Sequence, residues 1–404
     1  MSEIRTIPET ILASGIKDTS IDAVGKFSKK VIHHFAGAPT AADDTGLGYA
    51  AGSIWVDSTN GDMYTCTDST AEDATWINME GDDVNPPFVA QGTTYGWMAG
   101  GASCPSGSPS IGGLDSISRI SFTAPAASVA VGELSSSRTT PSRGSIRSST
   151  LALNVGGYRT HPSGANLDDM DSFTFTSPST VTDIGEYATT TSHAGSTGDG
   201  TNGFVMGGDN PSKVDTVTKI SLTSPHPMSD NGELSTTRSM NTGFTDLTYA
   251  YSVTGSNPPY VDTIERMAFA TTSGTFADSG ELTRATGGGG GANGPTKGFY
   301  AGGAPPPLQI RHQIDTFTYA APTTSADVGE LAGTQRAYIG GGAASTDYAY
   351  FIAGTLDSPP HTATVDSISR IPWSATSGGS TDFGELTSHN PQSGANNANG
   401  YESS

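Results

Sequence analysis

The sequence predicts an all-β protein, most of it a six-bladed β-propeller. Three observations carry this. Of 404 residues only 34% are hydrophobic and 15% charged, while Gly (52) and Pro (24) are frequent, a composition for short strands joined by polar turns rather than for a helical bundle. A unit of about 50 residues recurs six times, a period that marks propeller blades. Within its strands the apolar residues, such as Ile117, Ile120 and Phe122 in DSISRISF, do not keep to one parity. A sheet wet on one face would alternate strictly; blades stacked face to face are covered on both.

Residues 1–45 lie outside the repeat. Their apolar spacing is irregular and their lysines, Lys26, Lys29 and Lys30, suit a solvated face; the segment reads as an arm that orders against a partner. Residues 46–81 read as a small β-meander. SIWVDS and DMYTCT flank Thr59-Asn60-Gly61, a strong hairpin signal, and TWINME supplies a third strand, with Trp55, Tyr64 and Trp76 as core. The acidic, Pro-Pro-containing stretch 82–94 reads as a linker.

Residues 95–404 carry the repeat. One motif closes on Phe122, Phe175, Leu222, Phe269, Tyr319 and Trp373. Seven residues before each stands Asp115, Asp168, Asp215, Asp262, His312 or Asp366. Ten or eleven residues after each comes a Gly-Glu pair, with Glu133, Glu186, Glu233, Glu281, Glu330 and Glu385. Leu follows in five copies and Tyr187 in the second. Each copy opens with a strand that ends in small residues: YGWMAGG, LALNVGG, GFVMGG, YAYSVTG, GFYAGG and YAYFIAG.

The strand ending in Gly-Gly, the aromatic strand after it and the later Arg138, Arg238, Arg284 and Arg336 resemble kelch repeats over about 95–404. The kelch Trp near the end of the unit is absent, and Gly-Glu-Leu stands near its place. The resemblance implies that the innermost strand of each blade follows that Arg. The segment near 387–400 then has no blade after it and would close the ring by joining the blade that begins at Tyr95. The pattern G-x-x-W-x-D … G-x-x-Y … W of residues 46–81 resembles modules of tailed-phage virion proteins. The whole layout is similar to tail-fibre and related proteins of phages of marine cyanobacteria.

The net charge of −21 and pI near 4.5 exclude broad nucleic-acid binding. The chain has no apolar run long enough to span a membrane, and MSEIRTIPETILASG has neither the basic start nor the apolar run of a signal peptide. The expected place of synthesis is a host cytoplasm and the expected location a virion. Two cysteines, Cys66 and Cys104, make no disulfide framework. Of eight His, no pair has the i, i+4 spacing of a helical metal site; no metal, cofactor or catalytic residue is expected. A carboxylate present in every blade cannot single out one active site, so the six Glu read as structural. They are expected to accept backbone N–H bonds or to pair with Arg119, Lys219, Arg266 and Arg370.

Pro, aromatic and polar residues gather in the loop between the first two strands of each unit, and loops carry function. Tyr158, Arg159, His161, Tyr260, Arg311, His312 and His361 are therefore the binding candidates. The expectation is a non-enzymatic, homo-oligomeric virion protein, a tail fibre or tail-associated. Residues 1–94 would hold other virion proteins, and the propeller would meet a host-surface glycan or protein. The alternatives are a capsid or neck decoration, a glycan-active depolymerase, and an intracellular adaptor.

Overall fold

The computed structural model describes residues 32–35, 37–59, 62–71, 74–78, 91–103, 112–124, 127–140, 142–159, 164–257, 259–304, 312–333, 339, 341–355, 364–386, 392–393 and 396–399. Among these the protein is all-β, apart from one 3-10 turn at Thr45–Leu47. It divides into two compact units, Met1–Pro87 and Phe88–Ser404.

The first unit holds one four-stranded sheet. Ile54–Asp57, Met63–Asp68 and Thr75–Asn78 form the expected meander; the turn residues Asn60 and Gly61 lie outside the described residues. Trp55 and Tyr64 are buried with Tyr49, and Trp76 packs against them. The segment expected to be an arm reaching to residue 45 is in part built into this unit. Ile32–Phe35 runs parallel to Ile54–Asp57, and the Trp55 and Trp76 indoles donate to the carbonyls of Gly37 (2.8 Å) and Asp43 (3.0 Å). A parallel partner that far upstream, Ile32 against Ile54, has no local pattern, whereas a hairpin has one.

Among the described residues the second unit contains six sheets of four or five strands, one for each repeat and antiparallel but for one short edge strand, and a separate two-stranded hairpin. The second sheet is typical: Ile146–Arg147, Leu151–Arg159, Ala165–Thr174 and Ser177–Thr191, in that order across the sheet. Each sheet takes its first strand from the stretch that follows the Gly-Glu of the preceding copy. For the first sheet that strand comes from the far end of the chain. Asn396–Asn399 pairs antiparallel with Tyr95–Ser103, placing Asn397 opposite Met98 and Ala398 opposite Trp97. Residues 91 and 92 of the expected linker dock on this unit: the Gln91 amide donates to the Asn293 carbonyl (2.8 Å), and the Gly92 N–H to that of Ala344 (2.8 Å).

Hydrophobic clusters join the sheets face to face. Trp97, Ile117 and Leu134 of the first meet Ala152 and Phe173 of the second. Similar clusters join second to third, third to fourth, fourth to fifth and fifth to sixth. A sixth cluster packs Met98, Ile120 and Phe122 of the first sheet on Tyr350, Ile352 and Ile368 of the sixth. Ile117 and Ile120 thus serve opposite faces of one sheet, which is why their spacing breaks parity. The short strand Arg143–Gly144 pairs parallel with Gly195–Gly198 and touches the first strands of the other sheets. Arg143 donates across to the carbonyls of Gly288 (3.1 Å) and Ile339 (3.4 Å).

The Gly-Glu signature is a strand bulge, and so is the Gly-Gly signature in the first two sheets, where the register shifts, as between Val155 and Gly157. In the third copy the strand ends before the pair, and in both settings the second glycine takes a positive φ, +122° at Gly157 and +107° at Gly208, which only Gly adopts without strain. In four of the Gly-Glu pairs the glycine N–H is held by the carboxylate two residues earlier, as by Asp230 for Gly232 and Asp278 for Gly280. Here the structure corrects the expectation for the six Glu. Their side chains are exposed, and it is their backbone that works. The Glu233 N–H donates to Gly274 and its carbonyl accepts from Phe276 of the next sheet, both at 2.8 Å. The Glu385 carbonyl likewise accepts from Ser128, at 2.9 Å. The basic residues expected to pair with them lie instead over aromatic rings. Arg119 is 4.2 Å from the Tyr95 centroid, Arg266 4.4 Å from Tyr249 and Arg370 4.6 Å from Tyr348, with Lys219 5.9 Å from Phe204. Cation–π contact and a desolvated stem make the aromatic the better partner. Of the six, Glu330 has a side-chain ion pair, with His312 at 2.6 Å.

Candidate functional site

A side chain repeated at every seam between sheets is structural by its repetition, so a site is sought where one seam departs from the others. The seams are clasped by arginine. Arg138, at the end of the first sheet, is fully buried and sits 2.6 Å from the buried Asp171 carboxylate of the second. Arg238 pairs with Glu265 between the third and fourth sheets. Arg284 lies 3.6 Å from Asp315 between the fourth and fifth. Burial pushes the Asp171 and Asp315 carboxyls up, and the facing guanidinium pulls each partly back. Arg336 lies outside the described residues.

The seam between the second and third sheets has no such pair. Thr191 takes the place of Arg138 and Arg238, and Thr218 the place of the acid. Tyr187, which stands where the other copies have Leu, is buried in the cluster that joins these two sheets. The correspondence is fixed by backbone. Thr139 exchanges two hydrogen bonds with Tyr158, Ser192 with Asp209, and Ser239 with Ser256. The residue after each, Thr140, His193 or Met240, has φ of +45°, +55° or +60°. Of the three seams so compared, this one carries a histidine and an aspartate at those positions.

Above them opens a cleft of about 430 Å³, lined by Tyr158, Gly164, Ala165, Asn166, Ser192, His193, Asp209 and Pro211. The second sheet supplies Tyr158 and Asn166 from either side of its first loop. The third supplies Asp209 from a two-rung hairpin, Asp209–Asn210 with Ser212–Lys213. His193 Nδ1 is 3.3 Å from Asp209 Oδ2 and 3.1 Å from Ser192 Oγ. Asn166 is fixed at both ends: its amide donates to the Asp209 carbonyl (2.7 Å), and its oxygen accepts from Ser192 Oγ (2.9 Å). The trio Ser192, His193 and Asp209 is not a nucleophile relay. Serine and carboxylate address the same ring nitrogen, whereas a relay needs them on opposite nitrogens.

Of the sequence candidates, Tyr158 lines this cleft, whereas the Arg159 guanidinium is 4.0 Å from Asp169, which is held by Ser136 and Arg138 of the first sheet. Tyr260 is in the fourth sheet, with its ring over Gly287. His312 is in the fifth, paired with Glu330. His161, Arg311 and His361 lie outside the described residues. The described candidates therefore do not converge on one place. His193, Asp209, Asn166, Ser192 and Pro211 were not singled out by the sequence, although one signal was present: the second copy runs Gly-Glu-Tyr-Ala-Thr-Thr-Thr-Ser-His where the third runs Gly-Glu-Leu-Ser-Thr-Thr-Arg-Ser-Met.

A second hollow, of about 560 Å³, lies where Gly132–Ser135 meet Ser179 and Val181. It is formed by the Gly-Glu junction found at several seams. Among the described residues no three His, Cys, Asp or Glu side chains gather as metal ligands, and no helix is long and apolar enough to cross a membrane. Compared with known proteins, the chain matches no family model and no curated protein.

Proposed function

We propose that residues 88–404 form a closed, kelch-like six-bladed propeller that serves as the non-enzymatic binding head of a phage virion protein, a tail fibre or tail-associated component. Closure is supported by the strand Asn396–Asn399 on the first repeat and by the cluster joining sixth and first sheets. A ring of that kind leaves no long free edge. Arg143 and Gly144 then fill its axis, so binding falls to the rim. The observation that carries the reading is the cleft between second and third sheets, where the arginine clasp of three other seams gives way and His193 stands beside Asp209. Virion membership is supported by the likeness of residues 46–81 to phage structural modules. In this reading the first unit holds neighbouring virion proteins, and several copies act together on a host-surface glycan or protein, so that weak contacts add.

Imaging of purified particles labelled with antibody against residues 95–404 tests this. Label at the tail or its fibres, with infection blocked by free propeller, is the expected result. Label spread over the head makes the protein a capsid decoration and overturns attachment. No label on any particle overturns the virion reading.

A further inference from the structure

We infer that the cleft between second and third sheets binds one neutral pyranose of a saccharide, through two adjacent hydroxyls held by Asp209 and His193. The inference rests on the attachment reading above and gives it a site and a ligand class.

The chemistry of the lining selects the ligand. The carboxylate in the lining, Asp209, already faces the His193 imidazole at 3.3 Å. A cation would have to compete with that imidazole for it, and an anion would approach both this carboxylate and a chain of net charge −21. A purely apolar ligand would leave Asn166, His193 and Asp209 unmatched under it, which costs affinity. A polyhydroxylated neutral ligand has neither problem. Asp209 Oδ1 and His193 Nε2 make no hydrogen bond to the described residues. One only accepts; the other is left by its ring partner to donate or accept. Adjacent sugar hydroxyls both donate and accept, so they match this pair side by side. The Tyr158 ring and Pro211 give the flat apolar surface on which the C–H face of a pyranose rests.

The site is also set in advance. His193 is held at φ +55° by the repeat's backbone, Asn166 is bonded at both ends, and Asp209 sits in a hairpin. Little side-chain freedom remains to be lost on binding. A volume of about 430 Å³ falls in the range of small-molecule sites. At the equivalent positions of the neighbouring seams stand Thr140 with Tyr158 and Met240 with Ser256, which offer no such pair.

The test uses the full-length protein with the methyl glycosides of mannose, galactose, glucose and N-acetylglucosamine, read by saturation-transfer NMR and calorimetry. At least one is expected to bind. Asp209→Asn and His193→Asn should each weaken it by about tenfold or more, the value of one lost hydrogen bond to a charged or ring partner. Asn tolerates the left-handed backbone at residue 193, and an unchanged Tm shows that each variant is folded. Glu233→Gln, at an exposed side chain of the seam between third and fourth sheets, should leave binding unchanged. Glycoside binding unaffected by both Asn variants overturns the site. No glycoside bound, while Asp209→Asn abolishes adsorption of the protein to cells that the phage infects, overturns the saccharide and leaves attachment standing. Neither glycoside nor cell bound by the wild-type protein overturns both.

Discussion

Replacing Arg138 by Met tests the arginine clasp. Arg138 and Asp171 are both fully buried and 2.6 Å apart, and Arg138 also donates to the Gly156 and Asp169 carbonyls, each at 3.3 Å. Met fills much of the same space without a charge, and the buried Asp171 carboxylate keeps the Ser135 N–H (3.2 Å) but loses its countercharge. Removing one member of a buried pair costs about 3–5 kcal/mol. The unit concerned runs from Phe88 to Ser404. At about 2.1 cal/mol/K per residue its unfolding entropy is roughly 0.7 kcal/mol/K, so a loss of about 4 kcal/mol lowers Tm by about 6 °C. Adding Asp171→Asn removes the stranded charge and should recover part of that loss, so that the double variant is more stable than the two single losses combined would allow. Scanning calorimetry of the wild type, both single variants and the double measures all four. A Tm for Arg138→Met within about 1 °C of wild type, or a double variant whose loss equals the sum of the singles, would refute the clasp.

Other outcomes follow from the same contacts. Gly232→Ala should destabilise by about 3 kcal/mol or more, since its Cβ would overlap the Gly274 carbonyl at a φ of +114°, whereas exposed Glu233→Gln should stay within about 0.5 kcal/mol in a urea titration. Burial pushes the Tyr187 hydroxyl up from 10.0 to about 12. The folded value lies above the unfolded one, so the stability it contributes is whole below pH 10 and is lost as pH rises towards 12. That is about 3 kcal/mol, and Tyr187→Phe should flatten this part of the Tm-against-pH curve. Cys66 is buried and burial pushes its thiol up. Iodoacetamide at neutral pH should therefore leave Cys66 unlabelled in the native protein and label it in urea, as read by peptide mass.

Much of the fold can be read in the sequence because its signals are local or repeated. Gly-Gly before a loop reports a bulge, and the misfit of Ile117 and Ile120 to one parity reports a sheet covered on both faces. The Arg after Gly-Glu reports a buried clasp. The strand Ile32–Phe35 escapes notice because a parallel partner leaves no turn to read. The Gly-Glu pair is visible but its meaning is not: the glutamate attracts attention, while the contact that matters is made by its backbone across a seam. The candidate site is the least legible part. Tyr158 can be found as a loop aromatic, but His193 and Asp209 come from different strands and acquire meaning only where two sheets meet. What the sequence does show is the vacancy, Thr191 in the place of arginine. The chemistry put there depends on a hairpin around Pro211 that the local pattern does not foretell.

The central claim is a ring closed within one chain by the strand Asn396–Asn399. The most direct measurement is a disulfide across that junction, Met98→Cys with Asn397→Cys, these two being register partners, in a chain whose Cys66 and Cys104 are changed to Ser. Closure predicts an intrachain disulfide and a monomeric band on a non-reducing gel at every protein concentration. Disulfide-linked dimers, or two thiols that stay free under oxidation, would contradict it.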